Sequence, residues 1–226
     1  VIPARYPCPL AGGSTADEYA LACDHGRGFR LLIVPALFEE ASRMRRFTVE
    51  VMRRLDGAGI DSFLPDLPGC NESRQLLAAL TPEDWQDAMT IAAEYFGATH
   101  VLGIRGGALV LPGALPGWCL APMPGTTLLR QMLRARIIAG REAGLAETHE
   151  TLLEEGLAHG IEIAGYRLGA DFVHQFAALA VPERPMLATI MQDMLGGGGL
   201  WLRAEPGENA GQADSLAAVL TIGMKT

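Results

Sequence analysis

A chain of 226 residues that is 49% apolar and only 19% charged can bury one sizeable core and does not read as a disordered segment. Its net charge of −8 makes nucleic acid and anionic membrane surfaces poor partners, because both demand a cationic face. The four cysteines, Cys8, Cys23, Cys70 and Cys119, form no C-x-x-C pair, no apolar run reaches the ~20 residues of a membrane span, and the first residues lack a signal-peptide pattern. These features lead to the expectation of a cytoplasmic protein with reduced thiols, without metal or bound cofactor.

In chain order, residues 5–14 read as a Pro/Gly/Ser-containing lead-in and Tyr19–Cys23 as an edge strand. Arg30–Val34 is an apolar strand of the buried parallel kind. From Ala41 to Ala58 the residues Met44, Phe47, Val51 and Leu55 recur at helical spacing, and Gly59 is a natural terminator. Ile60–Leu64 is the next strand. Thr81-Pro82-Glu83-Asp84 opens a second helix with a capping residue, a proline and two acids in the first turn, and Gly97 closes it. The strand, helix, strand order predicts a mostly parallel sheet with helices on both faces.

The stretch His100-Val101-Leu102-Gly103-Ile104-Arg105-Gly106-Gly107-Ala108-Leu109-Val110 organises the rest. It reads as an apolar strand, a Gly-framed sharp turn and the start of another element. This is the layout of the nucleophile elbow of α/β-hydrolases, G-x-S-x-G, with Arg105 where the serine belongs. A guanidinium cannot be deprotonated in a protein and cannot attack a carbonyl. Pro112 and Gly113 break the following helix early. Trp118–Ala121 is a short strand, residues 126–180 form a mainly helical cap with a strand or hairpin at Ile161–Tyr166, and Pro185–Ile190 and Leu200–Ala204 are the last two strands. The whole of 1–226 is expected to be one α/β-hydrolase-like domain containing that cap.

The segments Val34–Glu40, Arg45-Arg46, Leu64–Ser73, Trp85, Gly103–Leu109, Leu129–Arg136 and Glu162–Tyr166 together resemble the exosortase A system-associated hydrolases, the second type in particular. The resemblance covers about Arg30 to Phe176. It implies an α/β-hydrolase-like fold, an arginine inside the Gly-framed turn, and a bacterial setting of exopolysaccharide and protein-sorting machinery as possible partner.

A serine-type triad also needs a histidine after the last strand, and none of the five histidines, His25, His100, His149, His159 and His174, lies beyond Leu200. Asp193 is placed where the triad acid could sit, and Ser73 and Cys70 are weak alternatives as nucleophile. In the usual strand order of this fold, the loops carrying Glu39, Glu40 and Arg105 converge, with Asp66 one strand away. Two arrangements fit: Arg105 at a helix N-terminus binding a small anionic or acyl ligand, or Arg105 locked onto Glu39 or Glu40 in a buried ion pair. Three functions follow: a ligand-binding protein without the Ser-His triad; a hydrolase or acyltransferase with Glu39 or Glu40 as base and Arg105 stabilising an oxyanion; or a non-catalytic scaffold.

Overall fold

A computed structural model describes residues 1–9 and 15–226. Its seven-stranded sheet has the order β1-β2-β4-β3-β5-β6-β9. The strands are β1 (Ile2–Pro9), β2 (Thr15–Cys23), β3 (Arg30–Val34), β4 (Asp61–Pro65), β5 (His100–Ile104), β6 (Gly117–Leu120) and β9 (Leu187–Ile190). β4, β3, β5, β6 and β9 run parallel, whereas β1 and β2 are antiparallel additions to the β4 side. β3, β4, β5 and β6 are buried along nearly their whole length, which explains why none of them alternates apolar with exposed polar residues.

Each face of the sheet carries its own core. Helix α1 (Glu39–Gly57) lays Met44, Phe47, Val51 and Leu55 on one face, where α7 (Ala210–Lys225) joins it with Leu216 and Leu220. Helix α2 (Pro82–Tyr95) covers the other face with Trp85, Ala88, Met89 and Ala92. Its start is a complete capping box: Thr81 Oγ1 accepts from Asp84 N–H, and the Asp84 carboxylate accepts from Thr81 N–H at 2.7 Å. Because α1 leads from β3 to β4 on one side and α2 leads back to β5 on the other, the strand order reverses between β3 and β5. The crevice outside the carboxyl ends of that pair is where open α/β sheets bind ligands.

Between β6 and β9 lie α3 (Gly125–Glu142), α4 (His149–His159), the β7–β8 hairpin (Ile161–Ile163 and Tyr166–Leu168) and α5 (Ala170–Ala178). The hairpin turns on Ala164 and Gly165, both at positive φ as a two-residue turn requires. α3 and α5 contribute Leu128, Leu129, Met132, Leu133, Phe172 and Phe176 to the α2-side core. Among the described residues, no helix is long and apolar enough to cross a membrane.

Four sequence expectations change. The lead-in at residues 5–9 is part of β1, while its remainder, 10–14, lies outside the described residues. Tyr19–Cys23 belongs to an interior strand, since β1 takes the edge. The element after the elbow is a six-residue 3₁₀ turn, Arg105–Val110. Leu200–Ala204 is not a strand: Leu200–Leu202 forms a 3₁₀ turn that buries Leu200 and Trp201 against the α1 side, so the sheet ends at β9. An apolar run of three residues carries too little periodicity to separate these outcomes.

The turn after β5 tolerates no side chain beside it. A Cβ on Gly107 would stand 2.2 Å from the Pro35 carbonyl oxygen, and one on Gly103 2.7 Å from Ala108 Cα. Gly107→Ala is therefore expected to lower the unfolding free energy in urea by about 3 kcal/mol or prevent folding, against about 1 kcal/mol for the cap variant Thr81→Ala. Equal losses for the two would contradict this ranking.

Candidate functional site

Arg105 follows β5 directly and adopts φ 54°, a left-handed conformation that is rare and strained for a long side chain. The strain throws its side chain out over the sheet end, into the crevice between the β3 and β5 termini. There the guanidinium is almost fully enclosed, with its side chain 6% exposed. Nε donates to Glu40 Oε2 at 3.1 Å and Nη2 to Glu40 Oε1 at 3.0 Å, a two-pronged pair in which both carboxylate oxygens are engaged. Nη1 donates to the Ala121 carbonyl at 2.9 Å, and the Trp201 ring lies 4.0 Å from the guanidinium carbon. Ala121 itself has φ 42°, so two strained residues on adjacent strand ends meet at this cation.

Glu40 reaches Arg105 because α1 begins at Glu39, immediately after Phe38 at φ 55°. Glu39 and Glu40 occupy the first turn, where the helix dipole favours carboxylates. Glu39 turns outward and pairs with Arg43 at 2.8 Å. Arg43 in turn donates to the Trp201 carbonyl at 3.1 Å, tying α1 to the turn that covers Arg105.

These groups floor a cavity of about 480 Å³, walled by Leu37, Phe38, Met123, Leu128, Met132 and Trp201. Glu39, Glu40, Arg43 and Arg105 all line it, so its formal charge sums to zero. The lining contains no serine, threonine, cysteine, histidine or tyrosine among the described residues. The N–H groups of Leu37, Phe38 and Gly106 make no hydrogen bond to the described residues.

Asp66 stands apart from this cavity. It is fully buried, accepts from Arg45 at 2.9 Å and Asn71 at 3.0 Å through Oδ1, and leaves Oδ2 without a partner among the described residues. It holds the β4 exit loop together, with Tyr6 donating to its carbonyl at 2.8 Å. Asp193 is exposed on the short helix α6 (Gln192–Leu195). Ser73 is a loop hub that donates to Glu18 and accepts from Gly69 N–H. Burial, with Asp66 and Glu18 nearby, pushes the Cys70 thiol up to about 12, far from a thiolate nucleophile. His100 stacks on Trp118 at the opposite end of β5, and burial lowers its pKa. The expected helix N-terminus at Arg105 is also absent: the 3₁₀ turn is short, and the guanidinium faces Glu40.

Trp201, Met123 and the Ala121 carbonyl are parts of the site that sequence reasoning missed. Trp201 sat inside an apparent strand, and a backbone carbonyl leaves no mark in side-chain patterns.

No protein-family model matches the chain, and no curated protein matches it in sequence. Solved structures do match in shape. Alpha/beta hydrolase domain-containing protein 10 from mouse aligns over 98% of each chain with TM-score 0.58 and 11% identity. The bromoperoxidase of Bacillus anthracis aligns over 99% of this chain and 100% of its own, with TM-score 0.55 and 10% identity. Est1E from Butyrivibrio proteoclasticus, solved with ferulic acid bound, covers 73% of this chain and 68% of its own at TM-score 0.51 and 16% identity. The chain has the α/β-hydrolase fold, and it is a hydrolase-like protein in that structural sense.

The pair predicts non-additive energetics. Removing one partner strands a buried charge, so Arg105→Met or Glu40→Leu alone should cost about 3–5 kcal/mol, while the double variant should cost clearly less than either single one. Urea unfolding of the four proteins measures this, and additive losses would contradict a coupled pair.

Proposed function

We propose that this protein uses the α/β-hydrolase elbow to bind a small ligand with an acyl or acidic head group, and that it lacks the Ser-His triad. The single observation that carries this reading is Arg105 at the strained elbow position, locked onto Glu40 under Trp201. An arginine there offers no nucleophile, and the cavity it floors, about 480 Å³, has the apolar walls that suit an acyl chain. Leu37 and Phe38 of the loop after β3 line the cavity, and their N–H groups have no partner among the described residues, which supports a role for them toward an acyl oxygen. They give a head group donors without requiring Arg105 to leave Glu40.

Glu40 is committed to Arg105 and Glu39 to Arg43, which disfavours either carboxylate as a general base. The resemblance of Val34–Glu40, Leu64–Ser73 and Gly103–Leu109 to exosortase A system-associated hydrolases of the second type is the support for a role beside bacterial exopolysaccharide and sorting machinery. In that reading the ligand is an acyl or acidic component handled by that machinery, in the cytoplasm.

Titration of the purified protein with octanoate, decanoate and their methyl esters, followed by tryptophan fluorescence, tests the reading. A saturable change is expected, weakened at least tenfold by Met132→Trp, which fills the cavity, and altered in amplitude by Trp201→Phe. p-Nitrophenyl acyl esters should be cleaved no faster than background. Ester hydrolysis that disappears in Arg105→Ala would overturn it.

A further inference from the structure

The sheet is open along β9. Met186 and Ile190 carbonyls accept from Gly117 and Ala121 N–H, so the even-numbered peptide groups of this strand point to β6. The odd-numbered ones point outward. Leu187 N–H is taken by the Arg184 carbonyl, but the Leu187 carbonyl, the N–H and carbonyl of Thr189, and the Met191 N–H have no partner among the described residues. Ala188 and Thr189 are exposed, as are Met186, Met191 and Met194 around them. The opposite edge is guarded: β1 carries Pro3, Pro7 and Pro9 at three of its four odd-numbered positions, and these have no N–H to offer. β9 has no such guard, and no charged residue lies between Pro185 and Gln192.

We propose that β9 pairs antiparallel with β9 of a second copy of this chain, about a two-fold axis through Thr189, joining two seven-stranded sheets into one. The edge matches itself in three ways. Outward-facing Thr189 groups of the two copies exchange both hydrogen bonds, and Met191 N–H of each copy meets the Leu187 carbonyl of the other, about four bonds in all. Across the axis the side chains pair as Thr with Thr, Leu187 with Met191 on one face, and Ala188 with Ile190 on the other, large beside small. The strand also carries no charge from Met186 to Met191, so no like charges meet across the axis. For a chain of net charge −8, an uncharged strand is the part of the surface where two copies meet with least repulsion. An isologous contact of this kind closes on itself and uses up the edge.

Sedimentation equilibrium of the purified chain from 1 to 100 μM tests it, with circular dichroism as the folding check. The expected mass is twice the 24.1 kDa of one chain. Thr189→Pro, which removes the N–H at the axis without touching the β6 side, and Thr189→Lys, which sets two cations face to face, should each weaken the dimer at least tenfold. Thr189→Cys should form a covalent dimer on mild oxidation, because hydrogen-bonded antiparallel residues sit about 5.5 Å apart at Cα. The wild-type chain and Leu202→Cys, at the exposed cavity mouth, should not. A chain that stays monomeric throughout, whether or not the edge accepts a strand of another protein, overturns the proposal. So does a dimer that both folded Thr189 variants leave unchanged.

Discussion

The buried cation at the sheet end is the constraint on which the rest of this site depends. A guanidinium withdrawn from water carries a large desolvation penalty unless its charge and its donors are met. Here Glu40 supplies the charge through two hydrogen bonds, the Ala121 carbonyl meets a third donor, and the Trp201 ring covers the flat face. Each partner comes from a different part of the chain. α1 must start at Glu39 to bring Glu40 inward, Ala121 must take a positive φ beside Arg105, and the turn at Leu200–Leu202 must fold back over the crevice. The helix start, the strand exit and the covering turn are thus one coupled arrangement around Arg105.

The same arrangement decides what the cavity can do. In the α/β-hydrolase elbow the strained residue exposes a reactive oxygen; here the strain exposes a cation that the protein immediately neutralises. The cavity keeps the concave shape and the apolar walls, and its floor carries balanced charge. Leu128, Met132 and Trp201 line it, and no serine, threonine, cysteine, histidine or tyrosine is among the lining residues described. Binding without serine-type turnover is the function this chemistry favours.

Much of this was legible in the residues. The continuous apolar runs at Arg30–Val34 and His100–Ile104, the Thr81–Asp84 cap and the Gly103 and Gly107 frame each follow from local rules, and the parallel sheet follows from their order. The meeting of Arg105 with the Glu39-Glu40 turn could be inferred from strand order, although which glutamate turns inward could not, because helix phase at a first turn shifts with one residue of boundary. β1 was hidden by its prolines, which mark loops and edge strands alike. Leu200–Leu202 resembles a strand in sequence but folds as a turn, because Trp201 answers to a distant cation and not to its neighbours in sequence. Asp66 looked like a site residue from its loop position; it lies outside the cavity floored by Arg105, with Oδ1 held by Arg45 and Asn71.

The whole site turns on the Arg105 guanidinium being held by Glu40 beneath Trp201 and taking no part in covalent chemistry. Arginine-detected NMR of the purified protein addresses it directly. One Arg Nε–H resonance, lost in Arg105→Lys, is expected to exchange slowly with water and to show a nuclear Overhauser contact to the Trp201 ring. That resonance should move little when a carboxylate ligand fills the cavity. A rapidly exchanging Arg105 signal without that contact, or one that loses its protection as the ligand binds, would contradict it.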